Sequence, residues 1–270
     1  KQLYKPTLKI PYLNLIFRFI SKLIIKFFLI ENISVFSNSF QQTLTTCFVK
    51  KFRGQKYIFK DGNERLLWRY KSQFHEEINL CNWIDTFKKS DIFYDIGANV
   101  GMFSIYAAKK KILTYGFEAH PSNISIFFWN IHLNKLNNYI TPLHFALFDK
   151  KKILNFKIRD LTGGVARNTL VNKKEKNDIN ISVLCHNLDD IVNNFQLKKP
   201  TKVKIDVDGN EFQILKGMKK SLENVNEIYI EIQDINKTNK NYHKIINFLK
   251  KYNFKIYKKY NENYLFKKKK

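Results

Sequence analysis

Cysteine, proline and glycine are all scarce in this chain, at three, five and nine of 270 residues. The cysteines, Cys47, Cys81 and Cys185, stand far apart with no C-x-x-C spacing. That spacing suggests neither a disulfide framework nor a cysteine zinc site, and it fits a reducing, cytosolic setting. Acidic residues are few as well, 23 against 48 Lys and Arg, for a formal net charge of +25. Such a charge attracts nucleic acid, anionic lipid or a phosphorylated acceptor, or it reflects drift in a chain rich in Lys, Asn and Ile throughout. A long uninterrupted apolar run is also missing. The nearest, Leu13 to Ile30, "LNLIFRFISKLIIKFFLI", is broken by Arg18, Lys22 and Lys26, which argues against a transmembrane helix.

What is present points to an ordered domain. At 44% hydrophobic and 15% aromatic, the chain can bury a substantial core, with lysine-rich ends. The first sixty residues stand apart, holding eleven Lys or Arg against the single acid Glu31. They read as a basic N-terminal extension, 1–60, followed by a domain over 61–270. Asn14, Arg18, Lys22 and Lys26 recur every fourth residue and form one polar stripe on an otherwise apolar helix. Such a helix is suited to peripheral contact with a membrane through residues 13–30, or to packing on the domain or a second copy. The first residue is Lys1 rather than Met, so targeting is not read from this end.

From Asp91 onward strand-like and helix-like segments alternate. "IFYDI" precedes the helical "NVGMFSIYAAKK", and "LTYGFEA" precedes "SNISIFFWNIHLNKLN". "YITPLHFAL" then reads as a third strand, and "KVKIDV" and "EIYIEIQ" flank the helical "GNEFQILKGMKKSLEN". This alternation predicts parallel strands with crossover helices, a doubly wound α/β domain with its core at 91–235. The tail "FKIYKKYNENYLF" predicts an antiparallel C-terminal hairpin, and an inserted hairpin is expected over 150–184. Within that insert, "DLTGGVARN" is either a mobile lid or a plain loop.

The turn after "IFYDI" lies where an open α/β sheet binds a nucleotide. Asp95, Gly97, Asn99 and Gly101 space it as D-x-G-x-N-x-G. Gly97 permits the tight turn, and Gly101 permits close packing of helix on strand or ligand. Asn99 stands where a dinucleotide site has its second glycine, which disfavours NAD. Glu118, about twenty residues on at the end of the next strand, suits the two hydroxyls of a ribose. The pair points to an adenosine site.

The motifs "FYDIGANVGMFSIYAAK", "GFEAHPSN", "NIHLNKLNN", "NLDDIV" and "KVKIDVDGNEFQILKGM" occur in this order. Together they resemble the FkbM-type S-adenosylmethionine-dependent methyltransferases over about Phe93 to Gln233. The resemblance implies a class I methyltransferase fold, S-adenosylmethionine as cofactor and methylation of hydroxyls on sugars or related metabolites. It also implies that Asp95, Gly97, Asn99 and Gly101 line the methionine side of the cofactor and that Glu118 holds its ribose. Asp206, with Asp208, Gly209 and Glu211 beside it, would face the transfer site. Ala119, Asp208 and Asn210 depart from the usual family pattern, and the last two leave the acceptor geometry open.

A hydroxyl is a poor nucleophile unless a base takes its proton as the new bond forms. Asp206 is the first choice for that base, with a helix-capping or cofactor-orienting acid as the alternative. Lys204 shares a strand face with it and can tune it. Glu211 opens the next helix, as a catalytic partner or as a favourable N-terminal charge. His120 is a further candidate base, whereas His186, next to Cys185, lacks a third member of a triad. Asp206 with Glu231 or Asp234 could hold Mg²⁺, but strand-end carboxylates are common without metals and none is expected.

The expected function is an O-methyltransferase acting on a glycan. The alternatives are an RNA methyltransferase, prompted by the charge, and a non-catalytic scaffold that binds S-adenosylmethionine. No Pro-Pro-aromatic stretch, Pro-Cys pair or RNA-binding module signature is present, so nucleic acid is not the expected partner.

Overall fold

A computed structural model describes residues 19, 20, 22, 47–166, 168–171, 179–232 and 240–269. The chain divides into two compact units, Lys1–Thr46 and Cys47–Lys270. In the first, Phe19, Ile20 and Lys22 are helical, and the rest of the expected stripe helix lies outside the described residues. No helix among the described residues is long and apolar enough to cross a membrane.

The second unit is built on a seven-stranded sheet. Its strands are β3 (Ile92–Ile96), β4 (Leu113–Phe117), β5 (Ile140–Leu143), β10 (Lys202–Ile205), β11 (Glu227–Glu231), β12 (Phe254–Tyr260) and β13 (Asn263–Lys268). Their spatial order is β12-β13-β11-β10-β3-β4-β5. The five strands from β11 to β5 run parallel. β13 is antiparallel to both of its neighbours. This is the class I methyltransferase arrangement, with the order reversing between β3 and β10, where such sheets take their ligands. The β10 strand, Lys202–Ile205, is buried at all four positions, as a strand covered on both faces should be.

The crossover helices are α3 (Met102–Lys109) and α4 (Pro121–Leu133) after β3 and β4, then α5 (Leu188–Asn194), α6 (Glu211–Lys216) and α7 (Lys240–Lys251). α4 begins with Pro121 at its first position, where the missing N–H costs nothing. α5 is capped by Asn187, whose side chain accepts from the Asp190 N–H at 2.8 Å. Two apolar layers result, one around Phe93, Phe103, Phe127 and Ile131, the other around Tyr94, Ile205, Leu215 and Ile230.

The C-terminal hairpin forms, but its second strand is the one that joins the sheet. β13 buries Tyr264, Leu265 and Phe266, whereas β12 has five consecutive exposed positions, Lys255 to Lys259. The apolar strand therefore takes the inner place and the lysine-rich one the edge. The expected third strand, "YITPLHFAL", splits into β5 and β6 (Ala146–Leu147). β6 joins the insert's own sheet with β7 (Lys152–Ile158), β8 (Thr169–Val171) and β9 (Ile179–His186), in the order β6-β9-β7-β8.

The basic stretch 1–60 includes two strands that charge alone did not reveal. β1 (Cys47–Phe52) and β2 (Gln55–Lys60) form an antiparallel hairpin, followed by α1 (Glu64–Glu76) and α2 (Ile78–Asp85). Phe52, Tyr57 and Phe59 are buried in the main core with Tyr70 and Phe74. Phe59 and Tyr70 stack with ring centroids 4.5 Å apart. The backbone of β2 is met by side chains of α4 and of its C-cap. Asn134 Oδ1 accepts from the Ile58 N–H at 3.1 Å, and Asn130 Oδ1 from the Lys60 N–H at 2.7 Å. Spaced four apart, the two asparagines share one helix face and stand in for a neighbouring strand.

Phe59→Ala should lower the unfolding free energy by about 3–5 kcal/mol, the usual loss for a buried aromatic ring. A urea titration showing a loss below about 1 kcal/mol would mean the hairpin is an appendage rather than core.

Candidate functional site

The turn after β3 is shaped by three residues with positive φ, Gly97 (79°), Asn99 (52°) and Gly101 (80°). The N–H groups of Gly97 and Ala98 both bond the Phe117 carbonyl, at 3.0 and 2.9 Å, which fixes the turn against the end of β4. A Cβ on Gly97 would collide with the Asp206 carbonyl, so the turn runs directly against the end of β10. A Cβ on Gly101 would enter the Phe127 ring on α4. The two glycines thus permit two close approaches, one to the neighbouring strand end and one to a helix.

Glu118 follows β4 and is buried. Its Oε2 accepts from the Asn99 N–H at 2.8 Å, and its Oε1 from the His120 N–H at 2.7 Å. The Asn123 side chain bonds this carboxyl as well, and the acceptor capacity left over suits a ligand hydroxyl. Burial raises this carboxyl to about 7, against the pull of those two N–H groups.

At the end of β10, Lys204 is a buried cation between two acids. Its Nζ lies 3.2 Å from Asp95 Oδ1, 3.1 Å from Asp206 Oδ2 and 3.4 Å from the Gly97 carbonyl. Burial alone would lower the ammonium, but Asp206 and Asp95 outweigh it and raise its pKa. The expected pairing of Lys204 and Asp206 on one strand face is present. Asp95 is fully buried and faces inward, its Oδ2 accepting from Ser104 Oγ at 2.6 Å. It supports the turn from below rather than lining the crevice.

Asp206 has 45% of its side-chain surface open, so its carboxylate faces the crevice. Crowding would raise it, but the charge of Lys204 and hydrogen bonds from Glu231 and Lys204 hold it below the usual carboxylate range. Glu231, at the end of β11, is pushed up to about 8 by burial and by the Asp206 charge. The two carboxyls titrate as a pair that keeps one proton between them near neutral pH. Glu211 is buried, accepts from the Gly209 N–H at 2.9 Å, and is raised by burial to about 7.

Other expectations fall out differently. His120 has no exposed surface and directs Nε2 at the Asp160 carbonyl, 3.0 Å away, with burial lowering its pKa. It packs the insert against α4 and does not reach the crevice. His186 stacks edge-on with Phe145. Asp234 lies outside the described residues, and no group of three or more metal-ligating side chains occurs among the described ones.

The "DLTGGVARN" stretch is docked onto the glycine turn, apart from Arg167, which lies outside the described residues. The Val165 carbonyl accepts from Asn99 Nδ2 at 2.8 Å and Asn123 Nδ2 at 3.0 Å. The Gly163 carbonyl accepts from Asn63 Nδ2 at 2.9 Å, and the Gly164 carbonyl from Arg69 Nε at 2.7 Å. Asn63 also caps α1, its Oδ1 accepting from the Leu66 N–H at 3.0 Å.

Three residues that sequence reasoning gave no site role, or weighed only as a metal ligand, act on this cluster. Glu231 bonds Asp206, Glu77 feels the charges of Asp206 and Lys204, and Arg69 those of Asp206 and Glu118. Glu77 and Arg69 precede the recognisable motifs, and no spacing marks them.

A sequence model of the methyltransferase FkbM domain matches residues 95–256, which include the turn, Glu118, Asp206 and Glu231. The chain belongs to the FkbM methyltransferase family. Its domain is therefore an S-adenosylmethionine-dependent methyltransferase. The residues present fit that cofactor: a tight turn with positive φ at Gly97, Asn99 and Gly101 against the end of β10, and an acid at the next strand end with acceptor capacity left. Hexuronic acid methyltransferase AglP of Haloferax volcanii is 24% identical over 166 residues, 62% of this chain and 66% of that protein. A tRNA (guanine(37)-N(1))-methyltransferase of Dictyostelium discoideum is 33% identical over 93 residues, 34% of this chain and 19% of that protein. The FkbM domain chain thus spans just under two thirds of the first relative's length and about a fifth of the second's. Among solved structures, an FkbM methyltransferase of Methylobacillus flagellatus aligns with TM-score 0.45 at 14% identity, over 76% of this chain and 55% of that one.

Glu118, Glu211 and Glu231 all titrate higher than the 4.5 of an unperturbed glutamate. Each binds its proton more tightly folded than unfolded. Their contribution to stability is complete below about pH 4.5 and is lost as pH rises through 7 to 8. Urea unfolding between pH 5 and 9 should show this decline, and Glu231→Gln should make it shallower by about one proton. An unchanged slope in the variant would show that Glu231 carries no proton at neutral pH.

Proposed function

We propose that this protein is an O-methyltransferase whose acceptor is a sugar hydroxyl, with a hexuronic acid or related glycan as the acceptor class. The observation that carries this reading is the Asp206 carboxylate, half open to the crevice and held ionised by Lys204. S-adenosylmethionine, when bound, supplies an electrophilic methyl group. Asp206 takes the hydroxyl proton as the carbon–oxygen bond forms, which general-base catalysis requires of a weak nucleophile. Glu231, protonated, steadies the Asp206 charge, and Lys204 fixes the carboxylate's direction. Glu118 receives the ribose hydroxyls, and Gly97, Asn99 and Gly101 keep the turn close to the cofactor. Asp95 anchors Lys204, and Glu211 shapes the Gly209 turn beside the transfer site. The similarity to a hexuronic acid methyltransferase supports the acceptor class.

A second reading, transfer to RNA, draws on the net charge of +25 and on the 93-residue similarity to a tRNA methyltransferase. A carboxylate base also serves transfer to a ring nitrogen, so the acceptor must be tested directly.

Calorimetric titration should give S-adenosylmethionine binding that Glu118→Gln weakens about tenfold or more, because the amide replaces one accepting oxygen with a donor. Asp206→Asn should keep that binding within a few-fold and lower methyl transfer to glucuronides by about 10²-fold or more. Transfer to tRNA, with none to glucuronides, would replace the sugar reading.

A further inference from the structure

Arg69 lies on α1, within a helix whose N-cap is tied to the docked loop. It is 9% exposed, which is rare for arginine unless the charge is paired. Its Nε donates to the Gly164 carbonyl at 2.7 Å, and its Nη1 reaches Gln73 Oε1 at a long 3.3 Å. Both partners are neutral. Among the described residues no carboxylate forms an ion pair with it, whereas Arg53 and Arg65 each have one. The acids that act on Arg69 through space are Asp206 and Glu118, at the ends of β10 and β4. Gly164 precedes Val165, whose carbonyl accepts from Asn99 of the glycine turn, so the guanidinium sits beside that turn, held by neutral neighbours, with donors to spare.

Among the described residues no Arg69 nitrogen is both buried and unpartnered, so its remaining donors open outward, where a ligand can reach them. A planar fork of N–H groups fits a carboxylate or a phosphate two to two, as it cannot fit a hydroxyl, and the ligands of the reading above carry carboxylates. Neither Asp206 nor Glu118 fills that fork, since Asp206 is taken by Lys204 and Glu231, and Glu118 by two backbone N–H groups.

We infer that Arg69 is a carboxylate-binding residue of the crevice, completed by the acid group of a bound ligand. Two ligands of the reading above carry such a group, the methionine end of the cofactor and a uronic acid acceptor. The inference rests on that reading for its choice of ligands, and the arms below separate the two.

The test is isothermal titration of wild type and Arg69→Gln with S-adenosylmethionine, decarboxylated S-adenosylmethionine, methyl glucuronide and methyl glucoside. Glutamine can still donate to the Gly164 carbonyl, and circular dichroism with thermal melting establishes that the variant is folded. Arg69→Lys, which keeps the charge without the fork, serves as the second variant. Wild type should prefer at least one acid over its carboxylate-free counterpart. Arg69→Gln should erase that preference with a 10- to 100-fold loss for the acid alone, and Arg69→Lys should recover part of it. A loss confined to S-adenosylmethionine assigns Arg69 to the cofactor, and one confined to the glucuronide assigns it to the acceptor. Equal losses for acids and carboxylate-free counterparts, no loss at all, or no preference in wild type would overturn the inference. If only the sugar reading is wrong, the glucuronide arm is silent while the S-adenosylmethionine arm still discriminates.

Discussion

Everything at the strand ends hangs on one buried ammonium. Lys204 reaches Asp95 across the register pair that joins β10 to β3, and it reaches Asp206 two residues along its own strand. It also touches the Gly97 carbonyl, so strand, turn and crevice acid share a single cation. Removing either acid would leave an imbalance in a low-dielectric setting, and removing the lysine would leave two carboxylates facing each other. The turn cannot move without disturbing the acid, nor the acid without disturbing the turn.

Around that cation the acids outnumber the bases, in a chain whose overall excess is strongly positive. The local surplus is relieved by protonation rather than by more lysines. Glu118, Glu211 and Glu231 are all raised toward or past neutrality, which leaves Asp206 as the firmly ionised carboxylate open to the crevice. Environment, not residue type, thus divides the labour among chemically similar groups.

Much of this was legible in the sequence because it is local. The D-x-G-x-N-x-G turn, the acid twenty residues on and the period-two pairing of Lys204 with Asp206 are short-range patterns, and each appears at the expected strand end. The hairpin of residues 47–60 was hidden because its lysines masked a period-two aromatic face, Phe52, Tyr57 and Phe59 turning inward. Arg69 and Glu77 were illegible for another reason. Their placement depends on where α1 settles against a loop nearly a hundred residues away, a contact no spacing encodes. His120 misled because a strand-end histidine looks available until the insert covers it.

The lysines of β12 give part of the positive charge a purpose unrelated to any ligand. Among the described residues this strand ends the sheet with its outer N–H and C=O groups unclaimed by another strand, and its pairing with β13 slips between Ile256 and Lys258. A flat apolar edge in that place would invite a second molecule to add its own strand, the first step of aggregation. Lys255, Lys258 and Lys259 make such an approach a meeting of like charges, and the bulge spoils the register it would need. The chain's basicity is, at this border, a guard against its own copies.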